Sequence, residues 1–369
     1  MGTNPGGEGG PSTLLNPEEI GPVLTSLGVC TFDLPFRTHD GRFGSGGNVT
    51  CVDPEHIHIF LTAGVHACER GGPDALVQFI TDLLEAQRRG IGLEYGAKTF
   101  SRADVVRVLG AGIVFVPMVN PDGIHWDQRT NTIWRKNRNP VSGDPANPND
   151  PAWGVDINRN FDFLWDSRHF DPSAAPNIVI TDPKEPRFHG TAPFSEPETR
   201  NVAWIFDTFP RIRWYMDIHS FAQTILYNWG DDDNQSSDQM MAFWNPAYDG
   251  RRGKHGIADY KEWIVESDEA NLRGVARRVS GAMETVAGHQ YPTQQHVYFN
   301  VGVSGTGRDY ALNRHYRPGS QRNKVYGYTM EFGSSHFYPA SIAEFRSNIR
   351  EVCAGLMEFC LAAADIGLT

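Results

Sequence analysis

Ile113 to Val119 is a continuous apolar run rich in β-favouring residues, and it constrains the fold more than any other segment. A strand apolar on both faces needs cover on both sides, which is the condition of a largely parallel sheet. His56 to Ala63 reads as a second such strand. Between them, Pro73 to Arg89 places Leu76, Phe79, Ile80, Leu83 and Leu84 on one helical face. Further strands are expected over Trp214–Ile218, Thr224–Tyr227 and Tyr326–Phe332. Helices are expected from Ser195 to about Phe209, from Ser267 to Val286, and from Ile342 to about Leu361. Val29–Phe36 and Asn48–Val52 read as two more strands around a Gly-rich turn. Strands that alternate with helices imply an α/β domain whose parallel or mixed sheet is covered on both faces.

The connecting segments carry local signals. Asn120-Pro121-Asp122-Gly123 reads as a turn. Ser195-Glu196-Pro197-Glu198 reads as a capping box. Asp231-Asp232-Asp233 reads as a solvated surface loop in preference to a calcium site. Residues 1–16, rich in Gly and Pro, are expected to be a flexible segment before a domain over 17–369.

Composition bounds the partners. A net charge of −11 argues against nucleic acid and anionic membranes. No apolar run reaches the roughly eighteen residues a transmembrane helix needs. The five cysteines are odd in number and unpatterned, so reduced thiols are expected. The N-terminus lacks the basic and apolar regions of a signal peptide. A cytoplasmic location is the default expectation, with secretion after processing as the open alternative.

Chemistry collects at strand ends. His66-Ala67-Cys68-Glu69 follows the His56–Ala63 strand, His219 ends another, and Glu331 lies near the end of a third. In open α/β sheets, ligands gather beyond the carboxyl ends of strands. A His and a Glu three apart can share a metal ion, and a distant His completes a hydrolytic zinc set with an open fourth position. H-x-x-E alone is a weak signal, and the rest of the chain has to support it.

The supporting motifs come in order. They are Asn120-Pro121-Asp122-Gly123, Trp134-Arg135-Lys136-Asn137-Arg138 and Gly154-Val155-Asp156-Ile157-Asn158-Arg159-Asn160-Phe161. Pro193-Phe194-Ser195-Glu196-Pro197-Glu198, Asp217-Ile218-His219-Ser220 and Tyr328-Thr329-Met330-Glu331-Phe332 follow. The ordered set resembles the zinc metallocarboxypeptidases of the carboxypeptidase A/B type, over roughly residues 50 to 365. The resemblance implies a single α/β domain with a central mixed sheet of about eight strands, helices on both faces. It leaves no room for an inhibitory prodomain before His66 or for an accessory β-domain after Glu331.

The resemblance also assigns roles. His66, Glu69 and His219 would bind one zinc per chain, and Asp156 would orient the first imidazole. Glu331 would be the general base, and Arg135 would polarise the scissile carbonyl. Asn158 and Arg159 would grip the free C-terminal carboxylate of the substrate. Three departures stand out. Cys68 occupies the place of an Arg that guides the incoming carboxylate; it would be a small loop side chain in preference to an extra ligand. Tyr298 aligns with the family's mobile, substrate-capping tyrosine only across an insertion of about three residues. Phe221 replaces a tyrosine after the His-Ser pair. Arg308 falls at the floor of the pocket for the C-terminal side chain. An unpaired cation there would favour substrates ending in Glu or Asp.

The sequence therefore points to a zinc metallocarboxypeptidase acting on peptides with a free C-terminal carboxylate. The alternatives are a related zinc amide hydrolase acting on an amino-acid conjugate or specialised metabolite, and an inactive binding protein on the same scaffold.

Overall fold

The computed structural model describes residues 14–41, 52–257, 259–299, 302–334 and 337–368. Helix α1 (Pro17–Leu27) precedes β1 (Ile59–Ala63) and α2 (Gly72–Arg89). The short β2 (Leu93–Tyr95) and β3 (Lys98–Phe100) form a hairpin. Then come α3 (Arg102–Gly110), β4 (Ile113–Val116), α4 (Pro121–Thr130), a single turn α5 (Ala175–Ile178) and α6 (Pro197–Thr208). Next are β5 (Trp214–Ser220), β6 (Thr224–Tyr227), the two-residue strands β7 (Asn234–Gln235) and β8 (Glu262–Trp263), and α7 (Glu266–Ala287). The chain closes with β9 (Thr293–Gln295), α8 (Gly307–Tyr316), β10 (Tyr326–Phe332) and α9 (Ile342–Ile366).

The central sheet is mixed, in the order β4-β1-β5-β10-β6-β9. All its pairs are parallel except β10 with β6. It has six strands among the described residues, against the eight or so expected. Val29–Phe36 runs without strand pairing, and residues 48–51 lie outside the described residues. Among the described residues β4 is therefore an edge strand, and only Val114 and Val116 are fully buried there. The strands buried throughout are β1, β5 and β6.

Side chains alternate across the sheet as strand geometry requires. Ile59, Leu61 and Ala63 of β1, Trp214, Met216 and Ile218 of β5, and Tyr326, Tyr328 and Met330 of β10 share one core with α2, α7 and α9. Phe60 and Tyr215 face the other side, with Val202, Ile205 and Phe206 of α6 and Tyr310 of α8. Asp217 and His219, in phase with Tyr215, point to this second side, as do Thr329 and Glu331.

Several local expectations change. Asn120-Pro121-Asp122-Gly123 opens α4, with the Asn120 side chain accepting from the Gly123 amide at 3.0 Å. The Ser195 capping box does not form; Ser195 donates to Glu196 at 2.7 Å, and α6 starts one residue later than the box predicts. Asp231, Asp232 and Asp233 are buried, not solvated. Cys30 is disulfide-bonded, while Cys68, Cys353 and Cys360 are free and buried. The expectation of reduced thiols thus fails at Cys30. Leu14 and Leu15 are buried and Asn16 caps α1, so order begins before residue 17; residues 1–13 lie outside the described residues.

Glu196 and Glu198 form a buried polar knot with Asn137, Asn139 and His39. Burial first, and then Glu196, push the Glu198 carboxyl up to about 8. A raised folded pKa means that its contribution to stability is complete below the unfolded value of 4.5. That contribution is lost as pH rises toward 8. Glu198→Gln, which removes this titration, is expected to gain several degrees in Tm over wild type between pH 5 and pH 9, read by thermal melts across that range.

Candidate metal centre

His66 and Glu69 lie on the bend just after β1, and His219 is the sixth residue of the neighbouring β5. The three side chains converge. His66 Nδ1 is 3.0 Å from His219 Nδ1. Glu69 sets one oxygen 2.6 Å from His66 Nδ1 and the other 2.8 Å from His219 Nδ1. Donors held at about 2.0–2.2 Å around a tetrahedral zinc would stand roughly 3.3 Å apart, so the set fits one such ion with little adjustment. All three residues are buried.

Each imidazole turns its other nitrogen to a carboxylate. His66 Nε2 is 3.1 Å from Asp156, and His219 Nε2 is 2.6 Å from Asp217. This arrangement fixes both rings and keeps both Nδ1 atoms aimed inward, as in carboxylate–histidine–metal sites. Asp217 was missed in reading the sequence. The available signal was its spacing, because residues two apart on a strand share a face.

The electrostatics favour a cation. Burial alone would raise the Glu69 carboxyl, and His66 and His219 more than reverse that, holding it well below the usual range. Burial is outweighed in the same way at Asp156, by Arg135 and His66. The His219 imidazolium is favoured by Asp217 and Glu69 against its own burial.

Glu331 reaches the centre through sheet register. β10 pairs with β5 so that Glu331 lies directly opposite His219, and Thr329 opposite Asp217. Adjacent strands lie about 4.8 Å apart, which sets the carboxylate beside the three-residue donor set. Burial first, and then the Glu69 charge, push its carboxyl up to about 7.

Arg135 lies against Asp156, with its Nε 2.9 Å from one carboxylate oxygen and its terminal nitrogen 3.7 Å from Glu69. The Asp156–Asn160 turn carries the next two residues. Asn158 accepts from the Gly307 amide at the start of α8 at 3.0 Å, and its amide nitrogen is 3.5 Å from His219. Arg159 is buried, and among the described residues its guanidinium bonds only its neighbour's carbonyl, Asn158 O, at 2.7 Å. The turn before α8 presses on this loop. Gly305 has φ +63, and a Cβ there would lie 2.1 Å from the Arg159 carbonyl, so the position requires glycine.

The other predicted residues lie differently. Arg308 is fully buried, but it is not an unpaired cation. Asp309 holds it at 2.8 Å, and His296 and Thr329 lie against it at 2.5 and 3.3 Å. Neither Asp309 nor His296 was singled out from the sequence. Tyr298 is 54% exposed, bonded to Asp233 and packed edge-on against His255. Cys68 is buried, and it does not join the three-residue donor set. Phe221 packs its ring against Phe337.

A family model described as zinc carboxypeptidase matches residues 45–358. The carboxypeptidase B of Helicoverpa zea is 32% identical over 187 residues, covering 49% of this chain and 36% of that protein. The mast cell carboxypeptidase A of Rattus norvegicus is 31% identical over 181 residues, covering 48% and 37%. The chain thus spans little more than a third of the length of these curated relatives. Among solved structures, thrombin-activatable fibrinolysis inhibitor superposes with a TM-score of 0.65 at 17% identity, covering 96% of this chain and 75% of that one. Carboxypeptidase A from Helicoverpa armigera gives a TM-score of 0.64 at 20% identity, covering 96% and 74%. At these identities the structural likeness concerns the fold.

Proposed function

From the fact that this chain belongs to the zinc carboxypeptidase family, we propose that it is a metallocarboxypeptidase releasing the C-terminal residue of peptides. The observation that carries the reading is the convergence of His66, Glu69 and His219, with Glu331 in register beside His219. His66, Glu69 and His219 would hold one zinc. When bound, the metal acts as a Lewis acid toward the scissile carbonyl and the attacking water.

The chain's own groups do the rest. Glu331, poised near neutrality, takes the proton of the attacking water and delivers it to the leaving amine. Arg135, braced by Asp156, turns its remaining N–H groups toward the carbonyl oxygen as negative charge develops there. Asn158 and Arg159 receive the free carboxylate and set the register of cleavage. Tyr298, at the exposed rim, is the residue that would close over bound substrate. The Cys30 disulfide supports an oxidising compartment over the cytoplasm.

The test compares peptides with free and amidated C-termini. Amidated peptides are expected to be cleaved at least about tenfold more slowly, because a charge-assisted bond is lost. Equal rates would favour a hydrolase of amino-acid conjugates. Failure to cleave any peptide or conjugate, with zinc bound, would favour a binding protein.

Specificity follows from net charge around the pocket floor. Arg308, paired with Asp309, and Arg159, offset in part by Asp156, still act together on the nearby His296, which burial and those two arginines hold well below its usual pKa, so it stays neutral. We therefore keep a preference for C-terminal Glu, with Asp second, although Asp309 already partners Arg308 and weakens the pull. Peptides ending in Glu, Leu and Lys, tested on wild type and Arg308→Asp, check it. The expected result is Glu first on wild type and a loss of that rank in the variant. An unchanged ranking removes Arg308 from specificity.

A further inference from the structure

A second donor set shares no residue with the metal centre. His39 Nε2 is 3.0 Å from Glu196 Oε2, and Glu198 completes a trio whose ligand atoms all lie within 4.8 Å of one another. Glu196 and Glu198 are buried, while the His39 side chain reaches solvent. The charges of the trio do not balance. Two carboxylates face one imidazole, and no Lys or Arg lies at ion-pair distance from either among the described residues. Their other partners are neutral. Asn137 donates to Glu196 at 2.7 Å and to Glu198 at 3.0 Å, and Asn139 and Ser195 donate to Glu196 at 3.0 and 2.7 Å. Glu198 Oε1 is buried and has no hydrogen-bond partner among the described residues. A proton relieves the charge of one carboxylate but supplies no partner for Oε1. A divalent cation does both, because it balances two carboxylates beside a neutral imidazole and takes up free oxygen lone pairs.

The surroundings hold the ligands in place. Thr38 donates to Asp122 at 2.9 Å, and the Asp40 amide donates to the same carboxylate at 2.7 Å, so both neighbours of His39 are tied to α4. Hydrogen bonds of this kind, and those from Asn137, Asn139 and Ser195, orient side chains for a metal. Asn137 also reaches the next segment. Its amide donates to the Val155 carbonyl at 3.1 Å, and its side-chain oxygen accepts from the Val155 amide at 2.8 Å. One asparagine therefore links the trio to the two stretches of chain that carry Arg135 and Asp156.

We propose that His39, Glu196 and Glu198 form a second, accessory zinc site, which braces the Arg135–Asn139 stretch against Val155 and Asp156. One imidazole and two carboxylates suit zinc, with water as the fourth ligand on the open side of His39. With one imidazole fewer and an exposed histidine, this is the weaker of the two sites. Dialysis against a chelator empties it and leaves the ion of the His66 set.

Calorimetric titration of zinc into the chelator-dialysed full chain tests the proposal, with circular dichroism as the control for folding. Wild type is expected to take up a further equivalent, and His219→Ala should take it up as well. His39→Ala and Glu198→Gln should each raise the Kd of that equivalent at least about tenfold and keep the ion of the His66 set. Zinc should also raise the Tm of wild type by several degrees, as a ligand of the folded state does, and leave both variants nearly unmoved. With the site empty Glu198→Gln melts above wild type, and added zinc should narrow that gap. A wild type that takes up no further equivalent overturns the proposal, and so does uptake that His39→Ala and Glu198→Gln leave unchanged. Loss of the equivalent in His219→Ala would place it at the metal centre, which also overturns the proposal. None of these outcomes depends on peptide cleavage.

Discussion

Glu331→Gln is expected to lose at least about a hundredfold in turnover while keeping its fold and its zinc, the usual scale of general acid–base help. The substitution is nearly isosteric. Met330 and Phe332, on either side, are buried in the large core and continue to hold β10 in place. The Glu331 carboxylate makes no hydrogen bond to the described residues that the amide would break. What changes is the capacity to take and return a proton. Initial rates on a peptide with a free C-terminus, with zinc content and circular dichroism as controls, measure the effect. Near-normal turnover would mean that another group activates the water.

His219→Ala is expected to bring zinc below one per chain and to abolish hydrolysis. Removing one of three protein ligands leaves His66 and Glu69 to hold the ion, and Asp217 is left buried without its partner at 2.6 Å. Some thermal stability should go with it, because a buried carboxylate stripped of its counter-charge is costly. Asp217→Asn separates the two effects. It keeps the ligand and loosens its orientation, with a loss of about 10- to 100-fold in metal affinity. Elemental analysis after dialysis against a chelator reads both variants. Full zinc retention by His219→Ala would remove it from the metal centre.

Residues with long-range periodic or motif signals were legible in the sequence. The apolar strand runs alternating with helices, and the apolar face of α2, announce a covered sheet, and the sheet delivers His66, Glu69, His219 and Glu331 to one place. Residues whose role depends on where the folded backbone sets a partner were not legible. Arg308 reads as an isolated cation, yet Asp309, the very next residue, neutralises it because the first turn of α8 folds one guanidinium edge back onto that carboxylate. Asp231 to Asp233 read as solvated because charge predicts exposure, but backbone amides of Gly253 and Gly256 bind Asp232 and Asp233 in the interior. Asn120 to Gly123 carries turn residues that serve equally well as a helix start, and only the helix that follows decides between the two. The strand over Val29–Phe36 failed because short apolar stretches do not specify a pairing partner.

β10 divides its labour between its two sides. Tyr326, Tyr328 and Met330 anchor it in the core, while Thr329 and Glu331 face the side of Asp217 and His219. The placement of Glu331 opposite His219 is thus written in backbone hydrogen bonds, not in how well the core side chains interlock. Drift on the anchoring side can alter how hard the protein is to melt without moving Glu331 relative to His219. The working side is then free to be retuned for new substrates on a frame that tolerates its own accumulated changes.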